Sequence, residues 1–191
     1  MKADNVTLPG SGKFVISRVA LIRAPRQLPA LANMTQGYPL QVGVTSVATS
    51  EHLYQASKLR HGDRSLVLGA ATGKLAKTEA NATKEMWHPD WDDIRIPVMR
   101  WSLAVKLQQH WEQIMPLLGD TGTQDIVEWS RTDSFWGALP HEHGTLTGCN
   151  WLGALWQELR DVALAHGRQA IARQTVPPDC LCDDWAWPTV L

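Results

Sequence analysis

Two stretches with apolar residues at helical spacing constrain the fold more than any other feature of the chain. The first lies within 91–110, where Val98, Trp101, Leu103, Val105 and Leu107 supply apolar faces. Pro97 is expected in its first turn, where a missing N–H costs no helical bond. The second spans about 150–166, with Leu152, Leu155, Trp156 and Leu159 on a helical repeat. Shorter helices are expected from a Thr49 or Ser50 N-cap to about Arg60, and over 63–71, 72–83 and 111–118. Strand signals are brief: Phe14 to Ile16, Val19 to Ile22, Leu40 to Thr45 and Asp125 to Glu128. Residues 1–12 read as a flexible polar start, and Pro25 and Pro29 as an irregular connection. A loop is expected from Gly137 to Gly148, and 174–191 is Pro-rich and acidic with no period. Helices outweigh strands, so the expected fold is a helix-rich α+β single domain.

Bulk properties narrow the function. At 191 residues the chain fits one domain with extensions. A formal net charge of −1 excludes a strong global field, so any contact with nucleic acid must rest on a local basic patch. Three cysteines, Cys149, Cys180 and Cys182, are too few for a disulfide framework and point to a reduced, cytoplasmic setting. The start MKADNVTLPGSGK has no apolar core of a secretory signal, and no apolar run reaches the ~20 residues of a bilayer span. Ten tryptophans fall mostly between Trp87 and Trp156, with Trp185 and Trp187 near the end. Tryptophan serves both as core and as a stacking surface, so the count does not separate those roles.

Four segments carry candidate chemistry. In Ser50-Glu51-His52-Leu53-Tyr54-Gln55-Ala56-Ser57-Lys58, a helix aligns Glu51, Gln55 and Lys58 with Tyr54 on one stripe, while Leu53 and Ala56 face elsewhere. From spacing alone, a solvated helix face with a capping-turn Glu is the commoner reading, and a pocket lined by carboxylate, amide, phenol and ammonium is the functional one. Asp133-Ser134-Phe135-Trp136-Gly137 places a carboxylate beside two rings, in a turn or at a stacking surface. Trp91-Asp92-Asp93 opens the long helix, where acids commonly cap and a Trp can wall a pocket. Gly148-Cys149-Asn150-Trp151-Leu152-Gly153 opens the last helix and is a candidate phosphate seat. A rival site, His141-Glu142-His143 with Cys149 or Cys180-x-Cys182, lacks the spacing of a structural zinc site, so no metal and no cofactor are expected. Phosphate-loop, dinucleotide-fold, nucleophile-elbow and HExxH patterns are absent.

In order along the chain, these segments resemble the NADAR family, the NAD- and ADP-ribose-associated, YbiA-like N-glycosidases. The resemblance rests on Thr49 to Lys58, Trp91, Val98-Met99-Arg100, Lys106, Asp133 to Gly137, Asn150-Trp151-Leu152-Gly153 and Glu158-Leu159-Arg160. It covers about residues 31–166. This divides the chain into an N-terminal extension over 1–30, a NADAR-like domain over 31–170 and a tail over 171–191. Two departures stand out. Ala32-Asn33-Met34 replaces a Ser-Asn-Phe turn, and Ala138 to His143 replaces a Gly-rich loop. The resemblance implies a compact α+β fold and hydrolysis of a ribose C1–N bond. The implied substrate is ADP-ribose on guanine in nucleic acid, or free phosphorylated intermediates of riboflavin synthesis. A non-catalytic ADP-ribose or NAD sensor is the alternative of another class. Reversal of a toxin's mark, or phage defence, is the corresponding family role. By carry-over Glu51 and Asp133 are the expected carboxylates. Trp91 and Trp136 would stack on a base, and Lys58 and Arg100 would bind phosphate. Tyr54, Gln55, Gly137, Asn33 and Asn150 complete the expected binding set, for an ADP-ribose-type nucleotide or ADP-ribosylated DNA.

Overall fold

The computed structural model describes residues 12–22, 28–60, 64–181 and 185. The expected polar start, the Pro25 connection, Cys182 and Trp187 lie outside the described residues. Helices dominate: α1 (Ser50–Ala56), α2 (Ser65–Leu68), α3 (Gly73–Ala82), α4 (Trp91–Gln109), α5 (Trp111–Asp120) and α6 (Trp151–Arg173). Among the described residues, seven short strands accompany them: β1 (Gly12–Val15), β2 (Ala20–Leu21), β3 (Leu40–Val42), β4 (Thr45–Val47), β5 (Ile126–Val127), β6 (Leu139–His141) and β7 (Thr145–Gly148). They form an antiparallel sheet in the order β1-β7-β6, a parallel pair β2–β5 and a hairpin β3–β4. The fold is therefore the expected helix-rich α+β type.

Helix α4 lies at the centre and packs on α6, α1 and α5. Its Val98, Leu103, Ala104, Val105 and Leu107 are fully buried, and Trp101 and Met99 nearly so. The apolar periodicity within 91–110 is thus the core face of this helix. A second, smaller cluster of Val19, Leu21, Val127, Ala138 and Leu146 sits under the sheets. No helix of the described residues is long and apolar enough to cross a membrane.

Five local expectations are corrected. Pro97 is an interior residue of α4, not part of its first turn, because the helix already starts at the His88–Asp90 turn. The carbonyl left without an N–H partner is that of Asp93, an exposed residue on the water side. The single strand over Leu40 to Thr45 is a hairpin, turned by Gly43 at φ 56°. The 137–148 loop is largely strand. Leu146 and Phe14 are register partners, and His143 and Gly144 turn the chain at φ 59° and 68°. The last helix continues to Arg173, with Gly167 at φ 73° and ψ −176° interrupting it where the expected helix ends. Helix α1 is also shorter than expected. The Ser57 hydroxyl donates to the Leu53 carbonyl and the chain tightens through Lys58 N–H to Gln55 and Leu59 N–H to Ala56.

Candidate active site

A cavity of about 500 Å³ opens between α1, α3, α4 and the segment 128–137. The stripe read from the α1 sequence lines it: Glu51, Tyr54, Gln55 and Lys58 all face the cavity. Helix α1 is fixed at its start by side chains. The Thr49 hydroxyl caps it, accepting from the His52 N–H. The His52 ring bridges Thr49 at 2.8 Å and the Ala70 carbonyl at 2.9 Å. A carbonyl only accepts, so Nε2 carries the proton and Nδ1 accepts from the Thr49 hydroxyl. Glu51 N–H donates to the Asn33 carbonyl, and the Ser50 hydroxyl donates to Asn33 Oδ1. Asn33 in turn donates to the Met99 sulfur on α4. A fully buried ammonium, Lys106, donates to the neighbouring Ala32 carbonyl at 2.9 Å. Burial lowers the Lys106 amine to about 7.

Glu51 is only 6% exposed. Its Oε1 accepts from Gln55 Nε2 at 2.7 Å. That bond fixes the Gln55 amide orientation, since an amide oxygen there would face a carboxylate oxygen. Gln55 Oε1 is then buried with no donor among the described residues. Lys58 lies beside this pair, 5% exposed, with Nζ 4.2 Å from the Trp87 ring and 3.4 Å from Asn81 Oδ1. Burial lowers its amine to about 8; Lys77 and Lys84 add to the depression, and the Glu51 charge opposes it. Burial, then the Glu51 charge, raise the Tyr54 phenol well above its ordinary value.

Aromatic rings form a continuous wall. Tyr54 meets Trp91 at 5.2 Å between centroids and Trp136 at 5.6 Å, edge to face in the second case. Trp87 meets Trp91 at 6.3 Å. All three tryptophans line the cavity, Trp91 as a buried ring and Trp87 and Trp136 as half-buried ones.

The opposite wall is held by backbone. Asp133 Oδ1 accepts from the N–H groups of Phe135 and Trp136 at 3.1 and 2.9 Å. The carbonyls of Ser134, Phe135, Trp136 and Gly137 accept from Cys149, Trp151, Leu152 and Asn150 N–H, respectively. The expected phosphate seat at 148–150 is therefore taken: these N–H groups already have partners. Asn150 lies outside the cavity lining as well. It takes a left-handed conformation and clamps β5, its Oδ1 accepting from Glu128 N–H and its Nδ2 donating to the Ile126 carbonyl. Gly137 does line the cavity, and a side chain there would collide with the Glu128 carbonyl.

Arg100 is also absent from the lining; its guanidinium pairs with Glu158 at 3.0 Å. Among the described residues, the cations that line the cavity besides Lys58 are Lys74 and Lys77 of α3 and Arg95 of α4. Sequence reasoning passed over all three. Their signal was present: 74 and 77 share a helix face, and 91, 95 and 99 repeat every four residues on α4. Arg95 pairs with Asp92 at 3.2 Å and lies 3.9 Å from the Phe135 ring centroid. Met34 lines the cavity at the position where a Ser-Asn-Phe turn would offer a ring. At the rival site His141 bonds the Thr147 hydroxyl, and no group of three metal-ligating side chains stands among the described residues.

Fold and cavity together define a class, a helix-rich α+β domain that gathers carboxylates, amines and tryptophans around one cleft. The chain belongs to the NADAR domain family, which it matches over residues 28–163. It is 30% identical over 125 residues to N-glycosidase YbiA of Escherichia coli K12, covering 65% of this chain and 75% of that protein. It is 31% identical over 118 residues to N-glycosidase Npun_R5314 of Nostoc punctiforme, covering 60% and 72%. A riboflavin biosynthesis protein of Vibrio vulnificus, VVA0006, is 31% identical over 134 residues, 68% of this chain and 35% of the longer protein. The solution structure of E. coli YbiA superposes with a TM-score of 0.65 at 26% identity, covering 77% of this chain and 85% of that one.

Proposed function

We propose that this chain is an N-glycosidase that hydrolyses the ribose C1–N bond of a phosphorylated nucleoside, with ADP-ribose carried on guanine in nucleic acid as its substrate. The observation that carries the reading is the buried Glu51–Gln55 pair beside a depressed lysine in a tryptophan-walled cavity. Breaking the C1–N bond develops positive charge on the ribose, which a carboxylate held close to C1 stabilises. Gln55 orients Glu51 for that role, and its unpartnered Oε1 suits a ribose hydroxyl. Asp133 is fixed through Oδ1, which leaves Oδ2 to position the attacking water or the base. Trp136 and Trp87 supply faces for the leaving base or adenine. Lys74 and Lys77, rather than Arg100, take the phosphate side with Lys58. This arrangement gives the substrate a direction: phosphate toward α3, C1 at Glu51 and the base toward 133–136.

A second reading makes Lys58 a nucleophile, and its lowered amine favours it. Nζ bonds to C1 as the C1–N bond breaks and the electron pair leaves with the protonated base. The resulting glycosylamine opens to an imine, and water releases the ribose and restores Lys58. Borohydride reduction during turnover, followed by peptide mass spectrometry, distinguishes the two: a ribityl adduct on Lys58 supports covalent catalysis.

The deciding experiment measures chromatographic release of ADP-ribose from an oligonucleotide carrying ADP-ribosyl-guanine, for the wild type, Glu51→Gln and Asp133→Asn. Release lost about 10³-fold in Glu51→Gln supports the assignment. Release only from a free phosphoribosyl-aminopyrimidine transfers the activity to small nucleotides. Tight binding of ADP-ribose with no release from either, unchanged by Glu51→Gln, makes the domain a sensor.

A further inference from the structure

Residues beyond the family match reach back toward the site. Ile171 and Leu181 are fully buried, and Trp185 is 3% exposed in the main core. Trp101 of α4 anchors this stretch, its indole donating to the Thr175 carbonyl at 2.8 Å and its ring lying 6.1 Å from that of Trp185. Arg64 also lies against Trp185, its guanidinium carbon 5.1 Å from the ring centroid.

Arg64 is where the tail meets the cavity wall. Its Nε donates to the Ala56 carbonyl at 3.0 Å and its Nη2 to the Leu59 carbonyl at 2.6 Å. Those carbonyls flank Ser57 and Lys58 at the open end of α1. A helix leaves its last carbonyls without internal partners, so a cation placed there fixes the turn. On the other side of the same turn, His88 N–H donates to the Lys58 carbonyl and Arg60 N–H to the Met86 carbonyl. The Lys58 backbone is therefore held between Arg64 and the 86–88 strip, with its side chain over Trp87. Only a planar guanidinium can lie on an indole face while its edge donates to two carbonyls.

We propose that Trp185 is a positioning residue for the cavity: it holds Arg64 on the Ala56 and Leu59 carbonyls, and Arg64 fixes the turn that aims Lys58 into the site. The proposal rests on Lys58 facing substrate, as argued above, but its test needs no substrate. Reductive methylation of the full chain, read by peptide mass spectrometry, gives the reactivity of every lysine in one sample. Trp185→Leu keeps an apolar side chain and removes the ring face. It is expected to raise Lys58 labelling about fivefold, the weight of one partly buried cation–π contact. Exposed Lys13 and Lys74 should keep their rates, and Lys106 should stay protected. Trp185→Phe restores a ring without burying the Trp185 N–H, which has no partner among the described residues, and should label as wild type. Arg64→Lys should raise Lys58 labelling like Trp185→Leu, and the double variant no further. The idea is overturned if Lys58 labelling is unchanged in Trp185→Leu. It is equally overturned if Lys106 rises in parallel, which marks general loosening, or if the two substitutions multiply. None of these outcomes bears on whether the chain is a glycosidase.

Discussion

The two walls of the cavity are held in place by different means. On the α1 side, side chains do the holding: Thr49, Ser50, Asn33 and His52 anchor the helix, and Lys106 and Arg64 brace its flanks. That wall leaves polar groups for a ligand, namely the Gln55 oxygen and the depressed Lys58 amine. On the 133–153 side, backbone carbonyls and N–H groups pair with one another, and Asp133 and Asn150 serve largely as clamps. Motifs of similar visibility in the sequence thus do unlike work. The first exposes chemistry, and the second builds a rigid edge against which it acts.

Glu51→Gln tests the first half of this contrast most severely. The substitution keeps the volume and a bond to Gln55 while removing the charge. Release of the base should fall about 10³-fold. The melting temperature should stay within a few degrees, because a buried carboxylate gives way to a neutral group of the same shape. A large loss of stability with retained activity would reverse the roles of the two walls.

Gly153→Ala tests the second half. A methyl group there would run into the Ile126 carbonyl and the Asn150 amide, neither free to move without releasing β5. The expected cost is about 3 kcal/mol of unfolding free energy, read by urea titration. Activity per folded molecule should change far less than in Glu51→Gln.

The contrast also explains what was legible in the sequence. The α1 stripe was readable because a helix repeats with fixed geometry, so Glu51, Tyr54 and Gln55 had to share a face; Lys58 lies past the helix end and reaches the same side through the turn at 57–59. The apolar repeat of α4 revealed the core for the same reason. The strands at 139–148 were not readable. Pro140, two histidines and two glycines mask an alternation whose only strongly apolar member facing the core is Leu146, and that strand depends on pairing with distant β1. The roles of Asn150 and Gly153 were invisible as well, since they are set by the Ile126 carbonyl and the Glu128 N–H, brought close only by the fold. Arg100 drew attention by its place in the Val98-Met99-Arg100 motif, whereas Arg95, one turn from Trp91, is the arginine that faces the cavity.

A wall held by buried ionisable side chains should respond to pH where one held by backbone does not. Lys106 titrates near 7 in the folded chain and near its ordinary 10.5 when unfolded. Between those values the unfolded chain binds more protons, so the lysine's contribution to stability rises with pH and is lost as pH falls through 7. Relative to Lys106→Met, the wild type should gain about 2 kcal/mol between pH 7 and 9. Lys58 adds a change of the same sign, which the comparison cancels because both proteins retain it. A difference that is flat with pH would mean that the Ala32 carbonyl keeps Lys106 charged, and that this support is an ordinary hydrogen bond.

The smallest effect is expected at Arg100. It lies on α4 next to Met99, but the helix turns about 100° per residue, which carries its side chain away from the cavity and toward Glu158. The pair is partly solvated, at 27% and 43% side-chain exposure, so water competes for both charges. Arg100→Gln should therefore cost no more than about 1 kcal/mol of stability. It should leave both kcat and KM for a phosphorylated substrate unchanged within about twofold, while Lys77→Met raises KM by about tenfold through loss of a charge-assisted phosphate contact. A raised KM in Arg100→Gln with none in Lys77→Met would move the phosphate from the α3 side to the α4–α6 side and turn the substrate end for end in the cavity.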